Sequence, residues 1–211
     1  MMIHLIRHGE SQANTGEADP SQVGDHNIGL TDRGQAQVLA TGGRLGAEVL
    51  RGSLLYCSPY QRTRQTMRGV LTGAGIDPSS VRIFEDPRLR EVDHGYEPIE
   101  EQQPQRAVHG WFYYRYRGGE SPADCYDRCC SFLTDLHEQM TRKNTNRVVI
   151  VSHSLTIRCF VMRFLHLSVE QFDAMESLPN ASIVTIQSRE AAADPIFATG
   201  RWGVWGLSVR H

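Results

Sequence analysis

Short apolar runs separated by amphipathic stretches organise this chain. The runs at 3–6, 53–57, 81–84, 148–151, 183–186 and 204–209 carry the continuous or alternating apolar pattern of strands. Helical spacing fills the intervals. One helix is expected from an N-cap at Thr31, with Ala36, Leu39, Ala40, Leu45 and Leu50 inside it, although Gly42 and Gly43 weaken its middle. A second is expected from Ser58 as N-cap and Pro59 at the first helical position, running towards Gly73. The clearest is the third. Ser121, Pro122, Ala123 and Asp124 form a capping box with proline at its first position, and Cys129, Phe132, Leu133, Leu136 and Met140 follow at helical spacing. Another helix is expected just after His153. Strands alternating with helices predict an α/β layered fold around a largely parallel sheet.

The stretch 87–119 breaks the pattern. It lacks clean periodicity and contains GWFYYRYRGG at 110–119. A long irregular segment in a compact domain is often a lid or binding loop. The expected organisation is therefore a single domain over 1–211 with a lid or insert at about 93–118.

Composition narrows the function. The 211 residues carry a formal net charge of only −2, without the basic excess that nucleic-acid binding requires. The apolar runs are too short to span a membrane, and Arg7 follows the first strand too soon for a secretory core. The five cysteines are odd in number and lack a C-x-x-C pair, which fits reduced thiols in a cytoplasmic protein and argues against cysteine metal ligation.

The candidate chemistry lies where strands end. In parallel α/β sheets ligands bind beyond the carboxyl ends of the strands. The first strand ends in Arg7, His8 and Gly9, the second leads to Arg62 in the first turn of a helix, and the 148–151 strand ends at His153 before another helix. Two arginines, two histidines and helix amino termini suit a dianion such as a phosphoryl group. Gly9 allows a sharp turn and close backbone approach to a ligand. A histidine in such a pocket can act as a nucleophile. Glu91 can serve as proton donor and then acceptor.

Seven segments in order extend this reading: RHGESQAN at 7–14, LTDRGQAQ at 30–37, SPYQRTRQT at 58–66, LREVDHG at 89–95, GGESPADCYDR at 118–128, VVIVSHS at 148–154 and PNASI at 179–183. Together they resemble the histidine phosphatase superfamily, specifically its phosphoglycerate-mutase-like branch 1. The resemblance implies a three-layer α/β/α sandwich with a mostly parallel central sheet. It implies a phosphatase that works without metal or other cofactor, through a phosphohistidine on His8. Arg7, Arg62 and His153 would hold the phosphoryl oxygens, Glu91 would be the acid/base, and Asn14 matches an asparagine that contacts the phosphate. The family usually has glycine where this chain has Ser154. That serine can still cap a helix, and its hydroxyl can reach the phosphate.

Plainer readings stand beside these. His4, His137, His166 and His211 read as structural, while His26 and His94 lie close enough to motifs to line a pocket. Glu85, Asp86 and Asp93 compete with Glu91 for the acid role, and Arg64 and Arg68 read as solvated charges. A zinc site at His8, His94 and His153 conflicts with the adjacent arginines. The aromatic run at 111–116 reads as packing of the lid, with a substrate-facing role as the sharper alternative. A phosphoglycerate-mutase-type phosphotransferase is the nearest rival, disfavoured because SQAN at 11–14 lacks a tryptophan. A non-catalytic phospho-ligand-binding protein is the rival from another class. The expected partner is a small-molecule phosphate ester, with a phosphoprotein as the wider option and the stretches 93–118 and 23–29 reading the rest of it. Neither nucleic acid nor membrane is expected, and edge-strand pairing leaves a homodimer open.

Overall fold

The computed structural model describes residues 1–95 and 97–210, so Tyr96, within the expected lid, and His211 lie outside the described residues. The first half runs β1 (Met2–Arg7), α1 (Gln12–Thr15), α2 (Pro20–Val23), α3 (Asp32–Leu45), α4 (Ala47–Arg51), β2 (Leu54–Cys57), α5 (Gln61–Gly73) and β3 (Ile83–Glu85). The second half runs α6 (Ile99–His109), α7 (Pro122–Arg142), β4 (Arg147–Ser152), α8 (Ser154–Leu165), α9 (Val169–Ala174), β5 (Ile183–Ser188), β6 (Phe197–Thr199) and β7 (Trp202–Trp205).

The strands form one sheet in the order β3-β2-β4-β1-β5-β7-β6. Pairing is parallel from β3 through β2 and β4 to β1, and antiparallel from β1 through β5 and β7 to β6. Only β5 and β6 run against the rest, so the sheet is mostly parallel, as expected, with an antiparallel flank. Side chains of the central strands alternate between two cores. Ile3, Leu5, Tyr56, Val148 and Ile150 face α7 and α8, where Phe132, Leu136 and Phe160 pack. Ile6, Leu55, Val149 and Val151 face α3 and α5, where Val38, Met67 and Val70 pack. Helices on both faces of one sheet make the three-layer α/β/α sandwich.

Several boundaries differ from the sequence reading. The second helix starts at Gln61 with Tyr60 as N-cap, because the Ser58 hydroxyl is engaged elsewhere and its carbonyl accepts from the Thr63 hydroxyl at 2.8 Å. The first long helix stops at Leu45, so Leu50 falls in α4 beyond Gly46. The strand expected at 204–209 ends at Trp205, and Val209 only bridges to Met175. β6 is three short, largely exposed residues and α6 is a polar helix with an internal Pro104, so neither shows an apolar period. The one buried residue of α6 is Gln102, whose side-chain oxygen accepts from the Tyr114 hydroxyl at 3.1 Å and from the Arg117 amide at 2.9 Å. This helix is tied down by polar contacts, which leave no periodic signature.

The glycines that weaken α3 by propensity are what let it approach α5. A β-carbon on Gly42 would collide with the Val70 carbonyl oxygen, and one on Gly73 with that of Leu39. A β-carbon on exposed Gly43 would meet nothing nearer than the Gly73 oxygen at 3.7 Å. Gly42→Ala is therefore expected to destabilise the fold by about 1–3 kcal/mol through overpacking. Gly43→Ala should stabilise it by about 0.5–1 kcal/mol through lower unfolded-chain entropy and better helix propensity. Urea denaturation of the two variants checks both signs.

Candidate active site

The parallel pairing of β1 with β4 sets the site. Arg7 lies opposite Ser152 in the register, and the His8 amide donates to the Ser152 carbonyl at 3.0 Å. The next residue after each strand is a histidine. The His8 and His153 rings meet edge to face with centroids 5.2 Å apart. His153 is the N-cap residue of α8, and its ring also meets Tyr60 edge to face at 5.1 Å.

The His8 ring is oriented by its own backbone. Nδ1 lies 2.8 Å from the Gly9 carbonyl oxygen, which can only accept, so Nδ1 carries the proton and Nε2 keeps its lone pair. Burial, and after it the Arg62 charge, pulls the His8 pKa down to about 3. The same two causes, in the same order, hold His153 well below the ordinary imidazole value. Both rings are therefore neutral near pH 7. His153 Nε2 lies 2.9 Å from the Ser58 hydroxyl, and its buried Nδ1 has no protein partner.

Gly9 is also required by a neighbouring helix. A β-carbon there would stand 2.7 Å from the Gly34 carbonyl oxygen, so the glycine admits the start of α3 against the site loop. Its amide donates to the Thr66 hydroxyl at 3.1 Å, which ties the loop to α5.

The two arginines come from separate elements. The Arg7 guanidinium donates to the Leu178 carbonyl, while its buried Nε has no protein partner. Arg62, in the first turn of α5, is 4 % exposed and lies over the Tyr60 ring at 4.9 Å. Both terminal nitrogens of Arg62 are bonded to Asp25, a residue that sequence reasoning reached only as part of the 23–29 stretch.

Glu91 stands apart from its rivals. Glu85 pairs with Arg64, Asp86 pairs with Arg88, and Asp93 is exposed. Glu91 Oε1 accepts from the Val92 amide at 3.1 Å and the Thr156 amide at 3.3 Å. Burial raises its pKa above the ordinary carboxylate range, against those hydrogen bonds and the Arg62 charge. Burial is the larger effect, so the proton-bearing form extends to higher pH.

Asn14 and Ser154 are placed less simply. Asn14 Oδ1 accepts from the Ser11 amide at 3.1 Å and from Asn180 Nδ2 at 3.0 Å. His153, not Ser154, is the N-cap of α8. The Ser154 hydroxyl accepts from the Leu178 amide at 2.9 Å and meets the Ser177 hydroxyl at 3.1 Å. Its bonds thus go to the loop at 177–178. That loop also holds the first strand end. The Leu178 carbonyl takes Arg7, the Ala181 amide donates to the His8 carbonyl at 3.1 Å, and Asn180 Nδ2 donates to the same carbonyl at 3.3 Å. Short PNASI gave the position of this loop, and nothing in it spelled out those contacts.

The remaining expectations sort cleanly. His4 bonds Thr185 at 3.0 Å and His137 bonds the Leu133 carbonyl at 2.8 Å, both structural. His94 meets Tyr116 edge to face with centroids 4.6 Å apart, and His26 is exposed. Among the described residues, no three His, Cys, Asp or Glu side chains cluster as a metal site would need. The aromatic run packs the insert onto the domain. Phe112, Tyr114 and Tyr116 are buried, and Trp111 meets Phe172 at 5.3 Å with the Arg158 guanidinium 4.6 Å from its ring centre. No helix among the described residues is long and apolar enough to cross a membrane.

Comparison with known proteins agrees with this geometry. The profile of the histidine phosphatase superfamily (branch 1) matches residues 3–194. The phosphoglycerate mutase-like protein AT74 of Arabidopsis thaliana is 35 % identical over 230 residues, covering 99 % of this chain and 68 % of the relative. The broad-range acid phosphatase DET1 of Saccharomyces cerevisiae is 25 % identical over 287 residues, covering 90 % of this chain and 86 % of the relative. Among solved structures, a mycobacterial glucosyl-3-phosphoglycerate phosphatase in complex with VO3 superposes with a TM-score of 0.73 at 22 % identity, covering 99 % of each chain.

Ser154→Ala removes the acceptor of the Leu178 amide. The loop at 177–178 should loosen, with a loss of about 1 kcal/mol of stability. Faster amide hydrogen exchange at Leu178, with His4 and the distant sheet edge unchanged, is the expected readout.

Proposed function

The chain belongs to branch 1 of the histidine phosphatase superfamily, and from that premise we propose that it is a metal-independent phosphomonoesterase acting through a phosphohistidine on His8. The observation that carries the reading is the state of the His8 ring. It is neutral and buried, its Nδ1 proton is committed to the Gly9 carbonyl, and its Nε2 lone pair is available beside a second neutral imidazole.

The chemistry follows from the groups at hand. Arg7 and Arg62 supply positive charge to the phosphoryl oxygens. The Ser58 hydroxyl accepts from the Tyr60 amide at 3.4 Å and lies 2.9 Å from His153 Nε2; in the tautomer in which that hydroxyl donates, the proton of His153 sits on the unpartnered Nδ1 as a further donor to phosphate. His8 Nε2 attacks phosphorus as the ester P–O bond breaks, and protonated Glu91 gives its proton to the departing oxygen. Water then attacks the phosphohistidine and loses a proton to Glu91. The N–P bond breaks, inorganic phosphate forms and neutral His8 returns. Little else is needed, because phosphoryl transfer rests on positioning and charge.

Small-molecule phosphate esters are the proposed substrates. The yeast relative's name, broad-range acid phosphatase, supports hydrolysis over transfer to a second hydroxyl. All five cysteines are free thiols, four of them buried, which supports a reducing cytoplasmic setting.

His8→Ala should abolish phosphate release from a panel of phosphomonoesters in the presence of a chelator, and the wild type should yield an acid-labile, base-stable phosphoenzyme. Equal turnover by both proteins would refute the assignment. The pH profile carries a second test. The nucleophile is competent above the His8 pKa of about 3, and the acid is competent below the raised Glu91 pKa. The kcat/KM of the free enzyme should therefore fall on the alkaline side as Glu91 ionises. Glu91→Gln should lower kcat by about 10²–10⁴-fold and remove that limb.

A further inference from the structure

The Arg62 fork is already occupied by a side chain of this protein. Nη1 donates to the Asp25 carbonyl at 2.7 Å and to Oδ1 at 2.8 Å, while Nη2 donates to Oδ2 at 3.1 Å. A carboxylate gripped by both terminal nitrogens uses the same planar, two-oxygen geometry that arginine offers phosphate. The partners differ in setting. The Arg62 side chain is 5 % exposed and built into α5, whereas that of Asp25 is 39 % exposed.

Asp25 rides on a surface strap, residues 16–29. Gly16 and Gly24 both have φ of 77°, a backbone state open chiefly to glycine, and most side chains between them are exposed. The strap is closed at its base, where the Gln12 amide donates to the Gly29 carbonyl at 3.0 Å and the Ala18 amide to the Gln12 carbonyl at 3.1 Å. Such a segment can move at its tip while its ends stay fixed. Around the carboxylate stand Arg62 and Tyr60 from α5 and its cap, His94 and Asp93 from the 89–95 segment, and His26 on its own turn.

The charges then compete. With Glu91 protonated, two guanidiniums and two neutral imidazoles give the site +2, and Asp25 reduces this to +1. A phosphomonoester dianion contacting Arg62 meets the Asp25 charge at the same nitrogens. We propose that Asp25 is a specificity-determining residue: its carboxylate competes with the phosphoryl group for Arg62, is displaced with the strap tip when substrate binds, and returns to the fork as inorganic phosphate leaves. The displaced carboxylate then lies at the rim beside the alcohol part of the substrate. Esters whose alcohol carries hydroxyl or ammonium donors are favoured there, and esters with a carboxylate close to the phosphate are repelled. The inference rests on the reading of Arg62 as a phosphoryl-binding residue.

Titration calorimetry with inorganic phosphate, at one pH and ionic strength, tests it without turnover. Asp25→Asn keeps the size and one acceptor for Arg62 while removing the charge, and Asp25→Ala removes both. Unchanged thermal midpoints establish that the variants fold. Both should bind phosphate more tightly, on the order of tenfold. Phosphate should speed amide exchange at 24–29 in the wild type and leave it unchanged in Asp25→Ala. The kcat/KM ratio of glycerol 3-phosphate to 3-phosphoglycerate should fall in Asp25→Asn. Wild-type binding with equal or weaker affinity in both variants overturns the role of Asp25 and leaves the phosphatase reading standing. No phosphate binding by wild type or variants overturns both.

Discussion

Everything at the site depends on the parallel ladder between β1 and β4. Its register sets Arg7 opposite Ser152, so the first residue past each strand end is a histidine, and the two rings meet edge to face. These are central strands, packed on both faces by Val148, Ile150, Val149 and Val151, all fully buried. A one-residue slip would exchange the two cores and separate the histidines at once. Catalytic geometry is thereby made a consequence of core packing, and the loop at 177–182 locks it by bonding the His8 carbonyl, the Arg7 amide and the Arg7 guanidinium.

That placement also decides protonation. Imidazoles beyond buried strand ends lose hydration, and two guanidiniums nearby penalise a further positive charge. Both effects act in one direction on His8 and His153, so neither histidine needs a carboxylate partner to remain neutral. On Glu91 they act in opposition. Burial raises its pKa while Arg62 lowers it, and burial is the larger. One desolvated cleft thus keeps two imidazoles neutral and holds the Glu91 proton to higher pH than an exposed carboxyl would keep it.

The sequence made the strand ends legible because they combine a local period with a polar residue at a topologically favoured point. Arg7, His8, Arg62 and His153 were all reachable on that basis, and so was the layered fold, whereas Glu91 was reached as one of several carboxyls at the edge of the long loop. Contacts made by polar atoms without a period were not. The α6 helix is tied through Gln102, and the start of α5 is displaced because Ser58 turns to His153. Ser154 could be named from its position after His153, yet its bonds run to Leu178, a partner 24 residues away. Gly42 read as a flaw in its helix because the reason for it, the Val70 backbone, lies on another helix. Asp25 stood in an exposed, glycine-flanked stretch where any acidic residue looks ordinary.

The same contrast separates the parts of the site that are fixed from the part that can yield. His8, His153 and Arg62 are anchored in a sheet and a helix whose apolar contacts are fully buried, so moving them would open the core. Asp25 is held by its bonds to Arg62 and by a short turn, with little apolar surface behind it. A ligand that competes for Arg62 therefore acts against a few polar contacts on one side and a packed core on the other. The weaker side gives way, and it is the strap, not the arginine, that moves. Rigid charge on the helix and a yielding carboxylate at the rim let one small site bind an anion firmly enough to position it and still release the product.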